Sequence, residues 1–560
     1  MLHHMTQREK IIVMLAVMSG LFLVALDQTI IATALGKIVE EFKSFSSLSW
    51  VVTAYLLTTT VTIPIAGKLS DQFGRRVVLM IGVAIFTLGS LLSGAAGSID
   101  LLIWARAFQG LGGGIITANA FTIIGDLFMP RERARWQGLI AAVFGLSSLI
   151  GPLLGGFLTD AHTIAGLTTN WRWTFWINVP VGILSFIVIS MYAPNARQSQ
   201  RPKVDYLGAG LLAVSLASLI LAVDNTDKIF AAVIDAGWSL NAIKASLFAL
   251  FALTATGFVV AEKRAAEPII PLRFFKNHNF TTIMVAALLF GAAFLGAILY
   301  LTQFNQQVFG ANATTSGLMI LPMVVGLASC AAITGQYVTR SGKYKWPIVT
   351  GFSVATIAVG LLTILTPSSP YWHEAILMLL AGAGLGAGMP IMNLAVQNEF
   401  EQHDLGAATS ASQLFRGLGS TIGTAVFGSL LAAGITTQLG NLQDNAYIQL
   451  LQRQPAASQH LGDLNSDTAL NLNTADVKKA INDGAARSVA NLPAPVAEQT
   501  LSNLKAQQDD FAHDVVEAFS QSLRPVFIAA AALMFLATLA VTRIREVKLR
   551  SGHGTPAEIS

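Results

Sequence analysis

Cysteine is all but missing: Cys330 is the only one in 560 residues, so no disulfide can form within the chain. Charge is scarce as well. Asp, Glu, Lys and Arg together make up 12% of the residues, about half of the roughly 25% found in soluble globular proteins. The nine histidines show no HExxH spacing, and a lone cysteine cannot make a CxxC pair, so no metal site is expected. No GxxxxGK[ST] phosphate loop and no nucleophile elbow occurs. ATP-driven transport and hydrolase chemistry are therefore disfavoured, the chain is not read as an enzyme, and no cofactor is expected. A cleavable signal peptide is not expected either, because the first apolar stretch, from Ile11, is too long and continues into an acidic residue.

What the chain does have is length without polarity. Hydrophobic residues make up 53% of it, and apolar runs of 18 or more recur along most of it, each long enough to span a bilayer. Hydropathy predicts fourteen spans, from about 11–35 to about 525–543. The loops then separate by charge. One set of loops and both termini carry 22 Lys and Arg, including Lys68, Arg75 and Arg76, and Arg131, Arg133 and Arg135; the short loops opposite carry about five. The positive-inside rule makes the first set cytoplasmic, with both termini there, in a multi-pass protein of a bacterial inner or plasma membrane. The basic pI near 9.1 is then a topology signal, and nucleic acid is not an expected partner. Residues 435–524 are polar, with apolar residues at helical spacing from Leu501 to Leu523. They read as a small helical cap outside the membrane, with disorder as the plainer reading of the first half.

The chain repeats itself. "GKLSDQFGRR" from Gly67 and "GQYVTRSGKYK" from Gly335 each place a second glycine seven residues on, an offset of 268. The same offset carries Gly151 onto Gly419 and Gly155 onto Gly423, and an offset of 272 carries Gly110, Gly112 and Gly114 onto Gly382, Gly384 and Gly386. Two related six-helix halves with two spans inserted between them follow, an organisation used by secondary transporters. The expected divisions are 1–195 for the first bundle, 196–279 for the inserted pair, 280–434 for spans 9–13, 435–524 for the cap, and 525–560 for the last span and tail.

These residues resemble the major facilitator superfamily, specifically its fourteen-span drug:proton antiporters. The resemblance rests on "LDQTIIATAL" (26–35), "GKLSDQFGRR" (67–76), "RAFQGLGGG" (106–114), "GPLLGG" (151–156), "WRWTFWINVPVG" (171–182) and "FRGLGSTIG" (415–423). It implies an all-α membrane fold of two six-helix bundles plus two inserted spans, and export of amphipathic, often cationic, compounds in exchange for protons. It also implies proton coupling in the fourth span and an antiporter element in the fifth.

Physical chemistry singles out the same positions. Asp27 lies roughly 12 Å, and Arg106 roughly 8 Å, below the outer ends of spans 1 and 4 at 1.5 Å per residue. Ionised groups at such depth are expensive unless paired or facing a cavity. Opposed desolvation and pairing can poise a carboxylate to load and release a proton; a static pair joining two helices is the plainer reading. Gln109, one turn from Arg106, either joins this network or simply packs. Gly151, Gly155 and Gly156 give span 5 a smooth face and Pro152 bends it, which suits a rocking or sealing helix between bundles. Around the tight turn of Gly67 and Gly74, Arg75 and Arg76 anchor at headgroups. Asp71 makes a breakable contact between helices or serves topology alone. Arg416 is a deep charge whose partner is open: backbone carbonyls, an anionic substrate group or Asp27. The expected partners are a small amphipathic substrate, protons and the bilayer, with 435–524 as a surface for an envelope partner. Export of a lipid or envelope metabolite on the same scaffold is the second reading. A receptor or scaffold that does not transport is the third.

Overall fold

In the computed structural model the described residues are 6–549, apart from 43–47, 160–162, 165–166, 194–203, 224–225, 312, 440–444, 453–468, 470–471, 474 and 490–492. Fourteen helices among them are long and apolar enough to cross a membrane. A chain in lipid must satisfy its backbone polar groups internally, and the helix does this within a single segment. The spanning helices are α1 (Gln7–Phe42), α2 (Leu48–Phe73), α3 (Arg75–Gly94), α4 (Ile99–Leu127), α5 (Pro130–Thr159), α6 (Asn178–Tyr192) and α7 (Tyr206–Val223). They continue with α8 (Leu240–Arg264), α9 (His278–Gln307), α10 (Leu321–Ser341), α11 (Lys345–Leu361), α12 (Tyr371–Glu399), α13 (Leu405–Leu439) and α14 (Ala494–Thr542).

The packing repeats with the helix number raised by eight. In the first bundle α4 packs on α2 and α3, α1 on α5 and α6, and α3 on α6; in the second α12 packs on α10 and α11, α9 on α13 and α14, and α11 on α14. The repeated glycines explain why. A Cβ on Gly110 or Gly114 would strike α2, at the carbonyls of Tyr55 and Thr59, and one on Gly112 would strike α3 at Phe86 N. Their counterparts do the same: Gly382 and Gly386 meet the Met323 and Leu327 carbonyls on α10, and Gly384 meets Gly351 O on α11. Between helices in lipid there is little hydrophobic drive, so close backbone approach supplies the attraction.

The two bundles meet through a second pair of symmetric contacts, α2 with α13 and α5 with α10. The inserted pair stands aside from this. α8 packs chiefly on α7, and α7 touches α2 and α13, one helix from each bundle. Lys68 of the α2–α3 region ties the pair down through Glu267, Nζ to Oε2 at 2.6 Å.

Three features add to the sequence reading. Among the described residues the regular structure is helical apart from one two-residue antiparallel pair, β1 (Thr163–Ile164) and β2 (Leu167–Thr168), in the α5–α6 connection. The last span has no separate start: α14 runs 49 residues from Ala494 through Pro525, about 74 Å at 1.5 Å per residue, so the division drawn at 524–525 falls inside one rod. The smooth face of span 5 at Gly151 is turned to its own bundle. Gly151 lies against Thr29 and Ile30 of α1, and Gly419 and Gly423 lie against Leu288 and Ala292 of α9, so both seams are internal to their bundles. The contact between bundles on α5 falls earlier, where Gly138 meets Ala331 and Gly145 meets Val324. Gly155 is buried and Gly156 half-buried, while the Pro152 side chain lies outside the described residues.

The cap is helical where it is described. Helices Ala446–Gln452 and Ala475–Val489 pack with the N-terminal part of α14. Tyr447, Ile448, Leu451, Ile481, Phe511 and Val515 belong to a buried apolar cluster of their own. The reading of disorder in the first half falls largely on 453–468, outside the described residues.

Candidate functional site

Two polar constellations stand out in this apolar frame. The first is wholly enclosed in the first bundle. Asp27 on α1 is 0% exposed and Arg106 on α4 is 1% exposed. Arg106 Nη1 donates to Asp27 Oδ2 at 2.5 Å and to Gln109 Oε1 at 2.9 Å, and Gln109 Nε2 donates to Asp27 Oδ1 at 2.9 Å. Arg106 and Gln109 can both reach because positions three apart share one face of a helix. Arg106 Nε also donates to Val51 O at 3.3 Å, and its guanidinium lies 4.1 Å from the centroid of the Tyr55 ring on α2. A planar, delocalised cation can stack and bridge in this way where an ammonium cannot.

Two members were not singled out from the sequence. Asn178 Nδ2, at the start of α6, donates to Asp27 Oδ1 at 3.3 Å and to Ser90 Oγ of α3 at 3.0 Å. Gln109 Nε2 donates to the same Ser90 oxygen at 3.2 Å, and Ser90 Oγ donates to Phe175 O at 2.9 Å. Five of the six helices of the bundle, α1, α2, α3, α4 and α6, thus converge on one ion pair. Asn178 lies inside "WRWTFWINVPVG", so its motif was visible, but nothing in hydropathy gives its depth. The start of that motif faces the C-terminal end of α1. Arg172 donates to both Glu41 oxygens, at 2.9 and 2.7 Å, and Trp171 Nε1 to Oε2 at 2.7 Å. The Arg172 hydrogen bonds hold the Glu41 carboxyl below its ordinary value, against a smaller opposing effect of burial.

The second constellation lies on the face of the basic loops, between the bundles. Gly74 turns the chain from α2 into α3 at φ 93°, a conformation that favours glycine; Gly342 ends α10 at φ 70°, the repeated counterpart. A Cβ on Gly67 would collide with Ser410 and with Gly406 O of α13, so the two bundles touch here at backbone distance. Asp71 accepts from the first-turn amides of α13, Gly406 N at 3.1 Å and Ala407 N at 2.9 Å. A carboxylate at a helix N-terminus is favoured by the free amides and by the helix dipole. Arg75 links Asp71 on one side to Asp126 on the other, with Nε to Asp126 Oδ2 at 2.8 Å, and also donates to Ser70 Oγ. Arg76 donates to Ser190 O of α6. Asp126, at the end of α4, is the member that sequence patterning missed.

Arg416 stays apart from both. It is half-buried, and the side-chain contact found for it among the described residues is Nη1 to Met389 Sδ at 3.6 Å. Asp27 is already enclosed with Arg106 and is not its partner in this conformation. No group of three metal-ligating side chains occurs among the described residues.

The comparisons agree with this architecture. The sequence signature described as Major Facilitator Superfamily matches residues 17–424. The chain is 36% identical over 450 residues, 80% of each chain, to the multidrug transporter protein MdtP of Bacillus subtilis (strain 168). It is 35% identical over 432 residues to multidrug resistance protein 3 of the same organism, covering 77% of this chain and 81% of that one. A solved structure of the proton:xylose symporter XylE, bound to 6-bromo-6-deoxy-D-glucose, matches with a TM-score of 0.54 at 15% identity, over 76% of this chain and 90% of that one, a likeness of fold alone. A matched signature over most of the chain, carried by fourteen spans in two repeated bundles, places this protein in the major facilitator superfamily, as a relative of its multidrug transporters.

Proposed function

We propose that the protein exports amphipathic, often cationic, compounds in exchange for protons by alternating access. One observation carries this reading: an ion pair at membrane depth, closed to water and gripped by five helices. A pure scaffold gains little from a charge in lipid. Protonation of Asp27 removes its attraction for Arg106 and leaves Gln109 and Asn178 to re-pair, so a single proton alters contacts on five helices at once. When the site faces outward, Asp27 takes a proton and substrate leaves. When it faces inward, the higher pH removes the proton and an anionic site returns. Export of drugs is supported by the two relatives above, a multidrug transporter and a multidrug resistance protein.

Orientation belongs to the same proposal. The basic loops and both termini are cytoplasmic, in a bacterial plasma membrane, and the Asp71–α13 contact is the inner gate, drawn here closed. Residues 1–195, 196–279 and 280–434 act as the moving bundle, the peripheral pair and the facing bundle. An envelope role, with a lipid or envelope metabolite as substrate and an envelope partner on 435–524, is favoured by the separate apolar core of the cap. A panel of lipophilic cations and lipid substrates tested in a deletion strain separates the two readings.

The test of mechanism is substrate-induced proton movement in inverted vesicles. Asp27→Asn keeps an oxygen for the Gln109 and Asn178 amides but cannot carry a proton. It is expected to bind substrate and to lose uphill efflux; undiminished proton-coupled efflux in this variant would remove Asp27 from the mechanism. For orientation, a membrane-impermeant maleimide applied to intact cells in a Cys330→Ala background is expected to label Ser502→Cys in the cap and to spare Ser341→Cys. The reverse pattern would invert the topology.

A further inference from the structure

A second buried carboxylate lies in the facing bundle, and nothing in the reading above uses it. Glu374, in the first turn of α12, is 0% exposed, and both of its carboxyl oxygens lack a hydrogen-bond partner. Asn305, in the last turn of α9, is also 0% exposed, and its amide nitrogen and oxygen are equally unpartnered. The Asn305 amide is the polar side chain that faces Glu374. Four buried polar atoms on two packed helices thus lack hydrogen-bond partners. One turn inward the same two helices carry Leu301, Leu377 and Met378, which belong to a buried apolar cluster.

The helices that carry this pair decide its meaning. α9 and α12 are the counterparts of α1 and α4, the helices of Asp27 and Arg106. The first bundle joins its two helices by a carboxylate and a cation; the second brings a carboxyl and an amide to the corresponding pair, close to the face of the cap. Among the described residues no cation pairs with Glu374. α9 and the segment Ala313–Met319 contain no Lys or Arg, and the only ones in α10 and α11, Arg340 and Lys345, lie at the opposite ends of those helices. On its own helix Tyr371 feels Glu374 but donates its hydroxyl to Met319 O at 2.8 Å, and His373 is exposed. Trp372 is exposed beside it, as befits a residue at the membrane–water boundary.

We propose that Glu374, with Asn305, is a second proton-carrying site, in the second bundle. When the carboxyl is protonated, its O–H can donate to Asn305 Oδ1 while Asn305 Nδ2 donates to its carbonyl oxygen, so a small closure completes both groups and ties α9 to α12. When the proton leaves to water on the cap side, the carboxylate can accept from Nδ2 but Oδ1 loses its donor, and a buried charge remains without a cation. That state requires water to enter, so release of the proton is coupled to opening of α9 from α12. The step is one proton exchanged between a carboxyl and water, with no other reactant. The inference rests on the proton-driven reading above and extends it to both halves.

The experiment is an infrared pH titration of the full chain in lipid, with proton release on addition of tetraphenylphosphonium measured in parallel. Wild type, Asp27→Asn and Glu374→Gln are compared. A protonated-carboxyl band present in wild type and Asp27→Asn but lost in Glu374→Gln is expected, along with loss of one proton-release step in Glu374→Gln. Glu374→Asp, which keeps an acid, guards against a folding failure and is expected to retain the band at a shifted pH. A Glu374→Gln spectrum identical to wild type, or a lost band with an unchanged pH profile of transport, would overturn the proposal. Failure of the Asp27 reading shows separately, as full coupling in Asp27→Asn while the Glu374 band is still decided by its own variant.

Discussion

At the scale of the residue, the molecule separates charges that must stay paired from charges that merely help. Asp27 and Arg106 cannot be parted cheaply: removing one partner of a buried pair costs about 3–5 kcal/mol, which is why an isosteric substitution is the informative one. Glu41 is the opposite case. Its side chain is 42% exposed against the 21% of Arg172, so solvent screening limits the pair to at most about 1 kcal/mol. The sign of its pH dependence follows from the lowered carboxyl. A group whose folded value lies below its ordinary 4.5 stabilises the fold above that value and ceases to do so as pH falls through the folded one. Glu41→Gln is therefore expected to melt slightly below wild type near neutral pH in detergent, with the difference closing as pH falls below the ordinary carboxyl value of 4.5. An acid-independent difference would show that the Glu41 contact is not electrostatic.

At the scale of the element, the fold is a matter of where backbones are allowed to touch. Gly382 lies so close to α10 that an added Cβ would sit 2.0 Å from Met323 O, whereas Gly417 on α13 has open space around it. Gly382→Val is expected to lower stability by about 1–3 kcal/mol, the cost of overpacking, and Gly417→Ala to be close to neutral; thermal unfolding in detergent reads both. Equal effects would mean that the repeated glycines are not the contact they look like. This periodic requirement made the repeat legible, because the same close approach imposes the same residue at Gly112 and Gly384. The positive-φ turn likewise imposes Gly74 and Gly342. Pro525 stands where the polar part of α14 gives way to the apolar part. A proline near the start of an apolar run reads as a boundary, yet α14 passes straight through it, because one missing N–H is tolerated where neighbouring helices hold the rod. Glu374 was hidden because a carboxylate at the end of an apolar run reads as interfacial. It is buried by tertiary packing, and its polar neighbour Asn305 lies nearly seventy residues earlier in the chain. The Asp27–Arg106 pair was legible from depth alone, but Ser90 and Asn178 are ordinary polar residues until the packing aims them.

At the scale of the whole molecule, the two bundles are clamped at the face of the basic loops by symmetric contacts, α2 on α13 and α5 on α10, and the alternating access we propose requires this clamp to open. An ideal Cβ on Gly138 lies 3.4 Å from the Cβ of Ala331 across the α5–α10 contact, close to the roughly 3.5–4.5 Å between Cβ atoms in a disulfide. In a Cys330→Ala background, Gly138→Cys with Ala331→Cys is expected to cross-link on mild oxidation and to stop transport, with recovery on reduction. The single variants are expected to keep transporting after the same oxidation. Substrate should change the rate of cross-linking, because anything that favours the opposite state withdraws α5 from α10. Asp71→Asn should slow cross-linking in the same way, since it removes a charge from the α13 amides while leaving the α5–α10 contact untouched. A cross-linked pair that still transports at the wild-type rate would mean that this face never parts and that the bundles do not rock about it.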